Sequence, residues 1–439
     1  MKKLCRLLAL VVILLVLISS VLSVSAVTYD YNKKTQSDSV LLINMDTGTP
    51  IVEINANKQR CPASLTKIMT YIVVAENVSD YKGTRVPIKQ EILDTLIGTG
   101  SSVAGISAYV GKTMSVYDLL NCMMISSGND AAAVLGDYIG GGDTSKFVDM
   151  MNAKAKELGC NDTNFANPHG LDHEDQYSTA YDIYRMAEYA LTLPHFSDIT
   201  NTTTYYCEDA EYPLTTTNYM IDPNRGGEFY YRYAKGIKTG TTDGAGRCIV
   251  TTAFDDGYAY MCVCMGAPYE DASKNAAMVD AKELLRWALL ELELTRMITV
   301  ETPVCEVDVN FGTTEEAALL YPSETVKAIL PKSHAPEDVT VETNVPDAID
   351  APLKKGDIVG TCTVYYKGEA INTVDLVVAQ DIEKSEFAYV MYMLKVVLTS
   401  PWFWLAAIIA VILIIVYIIF VSNVRGAKKQ KRVKRYRKL

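Results

Sequence analysis

The sequence predicts an α/β sandwich over residues 39–297, an antiparallel sheet with a helical subdomain, followed by a small all-β domain and a C-terminal transmembrane helix. Three observations predict it. Strand-like runs open and close the first segment around a middle that is helical in pattern. From residue 299 the composition shifts to short valine- and threonine-rich runs broken by proline, glycine and asparagine. Residues 402–421 form an unbroken apolar stretch of 20 residues, which at about 1.5 Å per residue covers the roughly 30 Å core of a bilayer.

Taken in order, the chain begins with Lys2, Lys3 and Arg6, an apolar run to about residue 18 and the small-residue site Val24-Ser25-Ala26. This is the pattern of a secretory signal peptide, residues 1–26. Residues 39–45 read as a buried strand that Asp46-Thr47-Gly48 turns back into a second over 51–54. Pro62 opens a helix reaching about residue 76, proline being tolerated in a first helical turn. Helices at 117–124 and 130–138 flank Ser126-Ser127-Gly128-Asn129, where the glycine interrupts the helix and leaves polar side chains at a junction. Helices at 147–158 and 181–191 flank a loop containing Asn167-Pro168-His169-Gly170. Strands follow at 234–241, 247–254 and 258–266, and a helix over 274–294 closes the domain. The β-rich domain occupies 298–380, a helical connector 381–400, the transmembrane helix 401–422 and a basic tail 423–439.

Charge orients this arrangement. The tail holds nine lysines and arginines, and basic residues remain on the cytoplasmic side, so the tail reads as cytoplasmic and the chain between signal and span as extracytoplasmic, held in the cell membrane by the C-terminal helix. Without those nine cations and the three of the signal, the net charge of −11 becomes about −23 for the body between them. So acidic a body argues against nucleic acid as a partner, and the tail's junction with a membrane span argues against it there too. Nine of the ten cysteines lie beyond the signal, an odd number that cannot all pair within one chain. Cys262 and Cys264 fall on one face of a strand with no histidine near them, so the cysteines read as small core hydrophobes, and neither a metal nor a cofactor is implied.

The chemistry is carried by Ser64 and Lys67, three residues apart at the start of a helix and therefore on one face. A serine hydroxyl is nearly inert at neutral pH and needs a base; a lysine serves only when partly neutral, which a second cation nearby promotes. Lys238 is the candidate for that second cation. A Ser-x-x-Lys pair alone is weak, expected about twice by chance in such a chain, and it recurs as Ser79-Asp80-Tyr81-Lys82 in a polar turn. The combination is stronger. Ser64-x-x-Lys67, Ser127-x-Asn129 and Lys238-Thr239-Gly240 occur in that order on a helix start, a helix junction and a strand, and the last is expected only about 0.1 times by chance.

This constellation resembles that of the penicillin-recognising serine acyltransferases, the penicillin-binding proteins and serine β-lactamases. The runs PASLTKIMT, SSGNDAAAVL, AKELGCNDTNFANPHGLD, YSTAYDIYRMA and GIKTGTTDGAG are similar to the D-alanyl-D-alanine carboxypeptidases of the penicillin-binding-protein-5 type, serine peptidase family S11. DAPLKKGDIVG is similar to the C-terminal domain that follows in that family. The resemblance implies a β-lactamase/transpeptidase-like fold and removal of the terminal D-alanine from peptidoglycan stem pentapeptides through an acyl-serine, with β-lactams as covalent inhibitors. It implies Ser64 as nucleophile, Lys67 as base, Ser127 and Lys238 as proton relay, and Asn129 as a hydrogen-bonding anchor. It further implies an oxyanion hole from the backbone of Ser64 and Thr241, and a carboxylate site of Lys238, Thr239, Gly240 and Thr241.

Two positions depart from the family. Thr241 stands where histidine or tyrosine is frequent, and the arginine that assists the carboxylate in some members has only Arg247 or Lys274 as stand-ins. His169 reads as a staple of its loop, Glu157 with Asn161 as a paper likeness to a lactamase element, and Asp130 and Asp243 as structural residues. The rival functions are a membrane-anchored sensor of β-lactams or wall peptides, against which the short tail counts, and a serine β-lactamase, which would need neither second domain nor span.

Overall fold

The computed structural model describes residues 29, 31, 33–208, 213–269, 275–313 and 317–436; the segment read as a signal peptide and Lys274 lie outside them. In chain order, β1 (Ser39–Asn44) and β2 (Thr49–Ile54) form a hairpin, and a 3-10 turn at Ala63–Leu65 leads into α1 (Thr66–Asn77). The helical middle comprises α2 (Gln90–Asp94), α3 (Val116–Ile125), α4 (Asn129–Ile139), α5 (Thr144–Glu157), α6 (Ala180–Leu191) and α7 (Phe196–Thr200). Two short ribbons are set into it, β3 (Arg85–Pro87) with β4 (Thr113–Ser115) and β5 (Thr204–Tyr205) with β6 (Leu214–Thr215). Strands β7 (Ala234–Thr242), β8 (Gly246–Asp255) and β9 (Tyr258–Ala267) then precede α8 (Ala276–Glu291).

These strands make one antiparallel sheet in the order β2-β1-β9-β8-β7, which puts the N-terminal hairpin beside the late strands. Every residue of β1 is buried because both faces of the sheet are covered. Side chains alternate between faces, so Leu41, Ile43, Val250, Met261, Val263 and Met265 join the core of the helical subdomain. Val40, Leu42, Cys262 and Cys264 occupy the alternate positions, and α8 packs on β8 and β9. Within the helical layer α1 is the central element: Thr66 through Val74 are all buried, which fixes the helix that follows Ser64 rigidly in the core.

Two elements end differently from their sequence pattern. The helix expected from Pro62 begins as the 3-10 turn at Ala63–Leu65, since Ala63 takes a φ of 48° that no α-helix accommodates. The closing helix stops at Glu291, and the β-branched and polar residues of Leu292–Ile298 continue as strand β10, paired with β13 (Val326–Pro331).

The chain separates into two compact units. The first runs to Thr295 and includes Lys327–Val339 and Tyr366–Ile371; the second holds Arg296–Val326, Thr340–Tyr365 and the chain from Asn372. Most residues of a six-stranded sheet belong to the second; in it β11 (Cys305–Asn310), β12 (Ala317–Pro322), β14 (Val339–Asn344), β15 (Ala348–Asp350), β16 (Ile358–Tyr366) and β17 (Glu369–Val378) run in the order β14-β16-β17-β12-β11-β15. Helices α9 (Glu386–Thr399) and α10 (Pro401–Tyr436) follow, broken at Ser400 because the residue before a proline is pushed into extended backbone. Pro401–Asn423 is long and apolar enough to cross a membrane, and its apolar window is not buried within the protein.

Candidate active site

Ser64 lies in the 3-10 turn and Lys67 in the first turn of α1, so the two side chains emerge side by side, Lys67 Nζ 2.8 Å from Ser64 Oγ. The ammonium donates also to Asn129 Oδ1 and to the carbonyl oxygen of His169, each at 2.6 Å. Both of those oxygens can only accept. Once Lys67 is neutral they occupy its two N–H groups and leave its lone pair directed at the Ser64 hydroxyl. The neutral form is favoured: burial first, then repulsion by the Lys238 charge, push Lys67 well below the ordinary lysine range, partly opposed by Asp130.

The His169 carbonyl reaches Lys67 because of its loop. Asn167 Oδ1 accepts from the Gly170 amide at 2.7 Å, Gln176 Oε1 accepts from the amides of Ala166 and Asn167, and Thr70 Oγ1 donates to the Pro168 carbonyl at 2.6 Å. Gly170 has a φ of 93°, and a Cβ there would stand 1.9 Å from the carbonyl oxygen of Ala63, next to Ser64. Gly170→Ala is therefore expected to cost about 2–4 kcal/mol in stability and to slow acylation, read as a lower Tm and slower labelling by a fluorescent penicillin. The His169 ring itself is held neutral, its pKa pushed down to about 3 by burial and then by Lys67, and its Nδ1 accepts from the Leu171 amide at 3.3 Å. It staples the loop, as read from the sequence. Its carbonyl as a lysine partner was not legible there, since a main-chain oxygen leaves no trace in residue types.

Ser127 lies at the junction of α3 and α4 with a φ of 62°, a conformation costly for serine and retained by the surrounding bonds. The Cys122 carbonyl accepts from Ser126 Oγ at 2.9 Å and from the Gly128 amide at 3.0 Å. Asp130, buried beneath, accepts from the amides of Ala104, Gly105 and Ile106 at 2.9–3.2 Å and so ties the loop over 102–106 to the start of α4.

The third wall is β7. Lys238 is buried, donates to the Thr239 carbonyl at 2.9 Å, and is pushed down to about 7 by burial. Thr239 Oγ1 lies 2.6 Å from Thr217 Oγ1, and Thr241 is exposed at the strand's end. A Cβ on Gly240 would lie 3.0 Å from both the Ser64 amide nitrogen and Ala63 Cβ, so glycine lets this strand close on the Ser64 backbone without crowding it. Thus Ser64, Lys67 and Asn129 are joined by hydrogen bonds, Gly240 abuts Ser64, and Lys238 acts on Lys67 through its charge.

The remaining sequence candidates fall elsewhere. Arg247 stacks over the Tyr269 ring at 5.3 Å, Glu157 pairs with Lys154 at 2.8 Å on the surface, and Asp243 is exposed. The second Ser-x-x-Lys copy is a surface turn, with Lys82 lying over the Tyr117 ring. Among the described residues no three histidine, cysteine or acidic side chains are grouped as metal ligands would be.

Residues 25–269 match the family described as D-alanyl-D-alanine carboxypeptidase, and residues 293–384 match the penicillin-binding protein 5 C-terminal domain. The chain is 30% identical over 357 residues to D-alanyl-D-alanine carboxypeptidase DacF of Bacillus subtilis, covering 80% of this chain and 87% of that protein. It is 31% identical over 352 residues to DacC of Escherichia coli, covering 79% and 84%. Its fold is similar to the crystal structure of DacD from Francisella tularensis, with TM-score 0.64, 26% identity and coverage of 81% and 95%. Penicillin binding protein 5 from Haemophilus influenzae superimposes with TM-score 0.61, 25% identity and coverage of 80% and 99%.

Proposed function

Because this chain belongs to the D-alanyl-D-alanine carboxypeptidase family, we propose that Ser64 is the nucleophile that cleaves the terminal D-alanine from peptidoglycan stem peptides, with Lys67 as its base. The observation that carries the assignment is the environment of Lys67 Nζ: two acceptors take its N–H groups, no carboxylate among the described residues neutralises it at bonding distance, and the serine hydroxyl lies 2.8 Å away.

Ser64 Oγ attacks the carbonyl carbon of the penultimate D-alanine while its proton passes to Lys67. The tetrahedral oxyanion is received by the backbone N–H groups of Ser64 and Thr241, a pairing that the closeness of Gly240, the residue before Thr241, to the Ser64 amide supports. Lys238, with the hydroxyl of Thr239, holds the substrate's terminal carboxylate. Ser127 relays the proton from Lys67 to the departing amine of D-alanine, with Lys238 beside it. Water then attacks the acyl-serine, Lys67 again taking the proton, and the shortened peptide leaves. A β-lactam enters the same first step, but its opened ring cannot depart, so Ser64 remains acylated for longer. D-alanine release from a diacetyl-lysyl-D-alanyl-D-alanine peptide, competed by penicillin, tests the scheme; no release by a folded chain would refute it.

Asp130 has a secondary electrostatic part, since its charge raises the Lys67 pKa against the two larger lowering effects. Asp130→Asn removes that support, so the ascending limb of the acylation rate is expected to move to lower pH. Stopped-flow acylation across pH checks the sign.

The apolar helix anchors the chain in the membrane, with the catalytic domain outside and the basic tail inside. The asymmetry of basic residues supports that orientation. Protease added to intact cells should remove the catalytic domain and spare an epitope on the tail.

A further inference from the structure

All nine cysteines of the described residues are free thiols, yet two that are 85 positions apart meet: Cys122 Sγ on α3 lies 3.4 Å from Cys207 Sγ. Both are buried. Cys262 and Cys264 are also close, at 3.7 Å, but stand two residues apart on β9, where extended backbone holds their Cα atoms nearly 7 Å apart, the far limit of disulfide reach. Cys122 and Cys207 come from separate segments and are free of that constraint.

We propose that Cys122 and Cys207 are a disulfide-forming pair that closes under oxidising conditions and braces the wall of the cleft carrying Ser127. Cys122 is tied directly to that wall, because its carbonyl accepts from Ser126 Oγ and from the Gly128 amide on either side of Ser127. Cys207 follows β5, whose partner β6 leads to Thr217, the hydroxyl partner of Thr239 on β7. One covalent bond would thus link the Ser127 turn to the segment flanking the Lys238 strand. Closing the gap to a bond of about 2.05 Å takes a small side-chain movement.

The oxidant is a disulfide, either a small molecule or a protein oxidoreductase. One cysteine thiolate attacks it, displacing a thiolate and forming a mixed disulfide; the second thiolate attacks that, displacing the other half. The pair loses two electrons and two protons, and the oxidant leaves as two thiols. The Cys122 thiol is pushed well above the usual range, first by its hydrogen bond with Cys207 and then by burial, so thiolate is scarce at neutral pH and closure quickens as pH rises.

The test uses the full chain in detergent, both incubated natively with glutathione disulfide at alkaline pH and refolded in a glutathione redox buffer, followed by alkylation, digestion and mass spectrometry. The expected result is a peptide pair joining Cys122 to Cys207, about 2 Da lighter than the reduced pair. With it should come a Tm several degrees above the dithiothreitol-treated protein and slower amide exchange over residues 123–128. Cys207→Ser should abolish all three while labelling with fluorescent penicillin like the reduced parent. Both thiols alkylated in both arms, or either one joined to another cysteine, overturns the pair. A bond that leaves Tm and exchange unmoved overturns the bracing.

Discussion

Ser64→Ala is expected to abolish D-alanine release and penicillin labelling together, lowering kcat/KM by at least about 10⁴-fold, or roughly 5 kcal/mol of transition-state stabilisation. The fold should survive. Ser64 is only partly buried, and among the described residues its hydroxyl bonds to Lys67, which keeps Asn129 and the His169 carbonyl as partners in the variant. An unchanged Tm with no release assigns the loss to chemistry. Release that persists near the parent's rate would remove Ser64 from the mechanism.

The second large effect belongs to Lys67. Lys67→Ala removes the base and is expected to slow acylation by about 10³–10⁴-fold. Lys67→Arg should do no better, because a guanidinium does not give up its proton in a protein and so cannot accept one from serine. The same assignment fixes the pH profile. Lys67 works neutral, so kcat/KM rises as pH passes upward through its depressed pKa. With Lys238 assigned as the charged partner of the substrate carboxylate, kcat/KM is expected to fall as pH passes upward through about 7 in the free enzyme. The profile is therefore a bell whose descending limb shifts far to the alkaline side in Lys238→Arg. Steady-state rates on the peptide between pH 5 and 10 read both limbs.

Much of this site is legible in the sequence because it depends on side chains at fixed spacing. Ser64 and Lys67 share a helical face, Ser127 and Asn129 straddle a glycine, and Lys238-Thr239-Gly240 sits in an alternating strand, so residue type and period together place them. What the sequence does not disclose is carried by the backbone. The His169 carbonyl, the left-handed Ala63 and Ser127, and the approach of Gly240 to the Ser64 amide are main-chain features set by distant loops. Lys67's depressed pKa is intermediate: Lys238 could be suspected from its motif, whereas burial, the larger cause, exists only once α1 is enclosed. The fold behaves likewise. The five-stranded sheet follows from alternating apolar runs, but the ribbons β3–β4 and β5–β6 have strands of three and two residues, too short for any periodicity to show. The turn from α8 into β10 has no glycine or proline to mark it.

The measurement that tests the central claim most directly is intact-protein and peptide mass spectrometry of the full chain quenched during turnover of a penicillin, beside D-alanine release by the same preparation. The account predicts a single adduct on Ser64, absent from Ser64→Ala, trapped in proportion to the loss of D-alanine release. An adduct on Ser127 or any other residue, or release that continues while Ser64 is fully acylated, would contradict it.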